Sequence, residues 1–187
     1  GMAVALVASL IMLQATYFGC TVNPGPTHAI LSCDTYPAMI PGIAVALQGL
    51  NRNTNLMTTA FARTAGGPGT KTILYEAAAL ALAAVPSGIA LMEGVQSAVG
   101  VETAHCSGLE ARFLAQVTHA AEGLTRVEAD SIVKSLTSKY GDDQKTKPIG
   151  KPFDQLYDLQ KIKPLPEWQS LYEEVCQEFK QEYGLTL

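Results

Sequence analysis

The sequence predicts an α/β fold, and two features predict it. The first is a strand–loop–helix–strand unit. An apolar run over residues 55–62 is followed by the loop Ala65-Gly-Gly-Pro-Gly-Thr70 and then by an Ala- and Leu-rich helix that stops at Pro86-Ser87-Gly88. A second apolar run covers 89–95. Parallel strands need such a crossover, and its right-handed form is strongly preferred. The second feature is spacing: short apolar runs begin near residues 28, 55 and 89, intervals that suit βα units.

At 187 residues the chain suits one domain or slightly more. A net charge of -4 and the lack of a basic run argue against a nucleic-acid partner. Cys20, Cys33, Cys106 and Cys176 show no C-x-x-C spacing and read as buried thiols in a reducing, cytoplasmic compartment. Residues 1–51 hold one carboxylate, Asp34, and no Lys or Arg, whereas 140–187 are dense in both signs. The front therefore reads as interior and the back as solvated surface.

Residues 2–18 are apolar almost all round. Three readings compete. A membrane span takes about 20 apolar residues, so this run is short for one. A secretory or lipoprotein signal, with lipid on Cys20, lacks its positive n-region. A helix buried on all faces inside a larger protein fits the α/β pattern that follows, so no membrane partner is expected. Residues 21–27 form a Pro- and Gly-rich loop, 28–33 the first strand, and 39–50 a second apolar helix entered through Pro37 or Pro41. The strand over 55–62, the Gly-rich loop, the helix and the strand over 89–95 complete residues 1–107.

Beyond residue 107 the pattern is helical. Ser107-Gly-Leu-Glu110 and Thr125-Arg-Val-Glu128 are capping boxes. Leu109, Phe113 and Val117 line the first helix, and Ile132, Val133, Leu136 and Tyr140 the second. Residues 141–152 form a polar loop. Pro166 opens a last helix whose stripe is Trp168, Leu171, Tyr172, Val175 and Phe179, and Gly184 ends it. Residues 108–187 are thus a helical extension. Three parallel strands cannot close a barrel, which takes eight. The sequence therefore predicts the C-terminal part of a (β/α)8 TIM-type barrel, or else a small α/β sheet that buries its edges by homo-oligomerising.

Several short segments, in order over almost the whole chain, resemble the monomethylamine methyltransferase family. They are Ala65-Gly-Gly-Pro-Gly-Thr70 with Leu74-Tyr75-Glu76-Ala77-Ala78, and Val85-Pro86-Ser87-Gly88. Gly108-Leu-Glu-Ala-Arg-Phe113, Gly150-Lys-Pro-Phe-Asp154 and Pro166-Glu-Trp168 follow. The resemblance implies a TIM-barrel, oligomeric enzyme of methanogenesis that moves a methyl group from monomethylamine to the corrinoid of a cognate corrinoid protein. It implies no cofactor bound directly to this chain. It also implies a longer N-terminal side carrying a reactive pyrrolysine, so that this chain corresponds to the portion downstream of an amber codon and lacks turnover by itself. As aligned, Phe61 and Arg63 stand where the family carries Gln and Tyr, which implies an altered amine site.

Candidate site residues gather at strand ends, where α/β folds bind ligands. Arg63 and Thr64 could hold a carboxylate, a phosphate or a corrinoid tail; the plainer reading pairs Arg63 with a surface carboxylate. Gly66, Gly67 and Gly69 could let an anion approach free backbone N–H groups, or could simply allow a tight turn. Cys33 and Asp34 end the first strand, with Asp34 as a proton acceptor or as a helix cap. Glu93 is a candidate acid or base, or an edge-facing glutamate. His28 reads as structural. His105 and Cys106 have no metal-ligand spacing. Catalytic roles thus fall to Asp34, Arg63 and Glu93, and substrate contacts to Cys33, Phe61, Thr64, Gly66, Gly67 and Gly69. A non-catalytic, homo-oligomeric α/β binding domain is the alternative reading.

Overall fold

The computed structural model of the chain describes residues 1–16 and 21–187. Six helices and four strands follow one another among them: α1 (Met2–Thr16), α2 (Ile40–Asn53), β1 (Thr59–Arg63), α3 (Lys71–Ala84), β2 (Leu91–Gln96), α4 (Gly108–Ala120), α5 (Arg126–Tyr140), β3 (Tyr157–Asp158), β4 (Lys163–Pro164) and α6 (Pro166–Tyr183).

Helix α3 is the centre of the molecule. Its Ala and Leu residues have high helix propensity and no polar face, so the helix can only be stable when enclosed. Thr70 caps its start, accepting from the Ile73 N–H. At the other end Pro86 closes a tight turn, and Gly88 takes a left-handed φ of 92°. Helices α2, α4, α5 and α6 and strand β1 pack around it. The resulting core joins Ile40 and Leu47 of α2 to Leu80, Phe113, Leu136, Trp168 and Phe179. Both predicted capping boxes form, at Ser107/Glu110 and Thr125/Glu128. They fix the starts of α4 and α5 and so aim both at α3.

Strands β1 and β2 pair in parallel, with α3 between them in the chain. The register slips between Ala60 and Phe61: Ala60 pairs with Met92 and Phe61 with Gly94, which leaves Glu93 as a bulge. Ala60 and Ala62 are buried on the helix side, while Phe61 and Arg63 are half-buried on the opposite face. Val22 adds one parallel bridge to Thr58. The short hairpin β3–β4 carries no signal read from the sequence.

Two expectations are corrected. Residues 28–33 are not a strand. The His28 ring accepts the N–H groups of Ile30 and Leu31, the Ser32 N–H donates to the His28 carbonyl, and Ser32 has a φ of 58°. Local bonding by the imidazole thus turns the chain back, and the segment that lies beside β1 is at Val22. Within this chain α1 packs on α2, Leu10 is buried, and Val4 and Ile11 face outward. Of the thiols, Cys33 is buried and Cys176 partly so, but Cys106 is exposed. The reading of Cys20 as a lipid site lies outside the described residues. No helix among them is long and apolar enough to cross a membrane.

Candidate functional site

The carboxyl end of β1 is held by a clamp on Arg63. Asp34 N–H donates to the Arg63 carbonyl at 3.1 Å, and Arg63 N–H donates to Asp34 Oδ1 at 2.9 Å. Thr35 Oγ1 lies 3.3 Å from the same carbonyl, with its proton directed to Glu76. The backbone of Arg63 is therefore fixed from both sides. Its Nε–H donates to Gln96 Oε1 at 2.5 Å and an Nη1–H to Thr27 Oγ1 at 2.9 Å, while the guanidinium carbon lies 5.4 Å from the centre of the Phe61 ring. Asp34 is 3% exposed. Burial pushes its carboxyl up to about 7, against the pull of the Arg63 amide and charge.

The Gly-rich loop has a different occupant from the one the sequence suggested. Its first two amides, Ala65 N–H and Gly66 N–H, both donate at 2.8 Å to the carboxylate of Glu76, one from each residue to each oxygen. Glu76 comes from α3 itself and is fully buried. The Thr35 hydroxyl and the Gln144 amide complete its shell. Burial raises its pKa, and these four donors pull it back. The anion of this loop is thus an internal side chain. Gly67 N–H is also taken, by the Pro148 carbonyl, and a Cβ at Gly67 would lie 1.7 Å from the Ile149 carbonyl oxygen. Gly69 has a left-handed φ of 84°, against the Leu156 side chain. These glycines serve the strand-to-helix turn and the close crossing of residues 148–151, and the expectation of free N–H groups at Gly66 and Gly67 is corrected. Thr64 is fully buried and donates to the Gly66 carbonyl.

Beside the clamp a cleft of about 440 Å³ opens along β2 and the segment after it. Phe61, Glu93, Gln96, Ser97, Glu102 and Cys106 line it. Between Ser97 and Gly100, which both line it, the backbone is strained: Ala98 and Val99 have φ of 47° and 53°, costly for residues with a Cβ and most of all for a β-branched one. The cost is met by two bonds, Ala98 N–H to the Gly66 carbonyl and Val99 N–H to the Thr64 carbonyl. The Gly-rich loop therefore shapes the cleft from behind.

The structure brings Phe61, Arg63 and Glu93 to one side of the β1–β2 pair, together with Gln96, which the sequence reading passed over. Cys33, Asp34, Thr64 and Gly66 lie behind them, out of solvent. Burial with the Glu76 and Asp34 charges pushes the Cys33 thiol up to about 12, which leaves it protonated and inert. Asp34 is a clamp on Arg63, and Arg63 has no ion-pair partner among the described residues. No group of three His, Cys, Asp or Glu residues among them could hold a metal ion. Glu76 was missed as well as Gln96; the signal for Glu76 was one acid in an otherwise apolar helix.

A family model described as monomethylamine methyltransferase MtmB matches residues 2–185. The chain is similar to monomethylamine methyltransferase MtmB2 of Methanosarcina acetivorans, at 35% identity over 107 residues, which are 57% of this chain and 23% of that protein. Similarity to MtmB of Methanosarcina mazei has the same identity and extent. The crystal structure of Methanosarcina barkeri monomethylamine methyltransferase superposes with a TM-score of 0.89 at 27% identity, covering 97% of this chain and 39% of that one. The chain thus spans less than half the length of these relatives.

Proposed function

The chain belongs to the monomethylamine methyltransferase family, and from that premise we propose that it forms the C-terminal part of a (β/α)8-type barrel whose site transfers a methyl group from a small methylamine to the corrinoid of a partner protein. The observation that carries the reading is the superposition over 97% of the chain, with the cleft at the carboxyl end of a parallel strand pair. In the transfer the C–N bond breaks, its electron pair leaves with the amine, and the methyl group passes to the corrinoid acceptor. The residues here would bind and orient. Glu93 is exposed in the cleft and suits a cationic ammonium group. Phe61 offers an apolar wall to the methyl group. Arg63, held by Asp34, Gln96 and Thr27, supplies fixed positive charge.

By themselves these 187 residues would not turn over. The face that carries Phe61 and Arg63 is only partly covered by the described residues, and Leu91 at the start of β2 is 54% exposed. A reaction of this kind needs a site closed to water. The test is spectroscopic. The purified chain, given monomethylamine and a reduced corrinoid protein, should leave the corrinoid spectrum unchanged; methylation by the chain alone would overturn its inactivity. A chimera should then replace the matching 39% of the Methanosarcina barkeri enzyme with this chain. Methylation of the corrinoid from any methylamine supports the reading, and a folded chimera that methylates from none removes it.

A further inference from the structure

Arg63 is built for a ligand that the described residues do not supply. A guanidinium carries five N–H donors in a planar fork. Gln96 and Thr27 accept from Nε and Nη1, and both are neutral oxygens, so they orient the group without neutralising it. Phe61 supports one face of the plane. No carboxylate among the described residues forms an ion pair with it, although Lys71, Lys134, Lys139, Lys145, Lys151 and Lys161 each have one. Buried Asp34 feels the Arg63 charge, but its Oδ1 is taken by the Arg63 backbone N–H and it makes no ion-pair contact with the guanidinium. A preorganised, unpaired fork recognises a planar two-oxygen anion, for which carboxylate is the matching small group. Two of the residues it touches, Phe61 and Gln96, line the cleft, and on the same cleft stand Glu93 and Glu102, both exposed. Positive charge at one side and two carboxylates in the cleft complement a molecule with both signs.

Resting on the methyl-transfer reading, we propose that Arg63 is a specificity residue and that the cleft takes a small N-methylated amino acid, the carboxylate on Arg63 and the ammonium toward Glu93. The bare methylammonium ion would leave the guanidinium without a partner.

Binding to the purified chain tests this apart from any turnover. N-methylglycine and methylammonium chloride are titrated while the Arg63 Nε–H resonance is followed by NMR. N-methylglycine should shift it saturably and bind about tenfold or more tighter than methylammonium, with charged hydrogen bonds supplying the difference. Arg63→Gln should lose that preference, and Arg63→Lys, which keeps the charge but not the fork, should keep only part of it. Circular dichroism of both variants checks the fold, and Glu93→Gln, exposed and harmless to folding, tests the ammonium end independently. Equal affinity for the two probes, no saturable shift with N-methylglycine, or unchanged binding in both Arg63→Gln and Glu93→Gln would overturn the proposal. Binding without methylation by the chimera would remove the reaction and leave the ligand class. Methylation from methylammonium without N-methylglycine binding would do the reverse.

Discussion

Glu76 and Asp34 are both acids out of water, and each is solvated by protein donors. Glu76 receives two amides, a hydroxyl and a carboxamide. Glu76→Ala would strand all four donors in the core, and we expect a loss of about 3–5 kcal/mol in urea unfolding; a loss under about 1 kcal/mol would mean that water refills the site. Asp34 gives a prediction in pH. Its folded carboxyl titrates near 7 because of burial, whereas an unfolded aspartate titrates near 4. Between those values the folded chain binds the extra proton, so this group's contribution to stability is largest at low pH and declines as pH rises toward about 7. Asp34→Asn keeps an acceptor for the Arg63 amide and cannot ionise. Relative to the parent, the variant should therefore gain stability from about pH 5 to about pH 8, read from urea midpoints at both. A difference that does not change with pH would rule out titration of Asp34 in that window.

Among the elements, the loop from β1 to α3 has the most consequences. It turns the chain, receives Glu76 from the helix it starts, and lets residues 148–151 cross against it. Lys151 N–H donates to the Pro68 carbonyl and Gly67 N–H to the Pro148 carbonyl. A methyl group at Gly67 meets backbone there, which cannot swing aside as a side chain can. Gly67→Ala should cost about 3 kcal/mol and speed hydrogen exchange at the Lys151 amide. Unchanged exchange would show that the crossing survives by a local shift. The same loop carries the strained turn at Ala98 and Val99 through two carbonyls, so Gly67→Ala should also disturb the cleft.

For the whole molecule, the question is whether residues 1–107 and 108–187 behave as separate units. One core runs from α2 through α3 to α6. The single tryptophan, Trp168, is 1% exposed in that core and donates its indole N–H to Ser107 Oγ at 3.1 Å. Tryptophan fluorescence therefore reports the helical extension, and far-UV circular dichroism reports every helix. We expect the two urea transitions to coincide. An earlier transition by circular dichroism alone would divide the chain at the boundary read from its sequence.

Where a signal is local, the sequence alone determined the outcome. The capping residues of α4 and α5, the stop at Pro86 and Gly88, the start of α6 at Pro166 and its end at Gly184 all depend on neighbours a few residues away. Helix α3 and its flanking strands were legible for the same reason, because an apolar helix between two short apolar runs has few other ways to fold. The partner of the Gly-rich loop, the bulge at Glu93, the clamp of Asp34 on Arg63 and the bridge at Val22 were decided by tertiary structure. Asp34 and Arg63 lie 29 residues apart, and Gln144 reaches Glu76 across 68. A buried carboxylate must find donors, but which donors depends on which loops the packed core brings to it. Residues 28–33 show the reverse case: their composition suited a strand, and one imidazole bonding to nearby amides turned them into a bend.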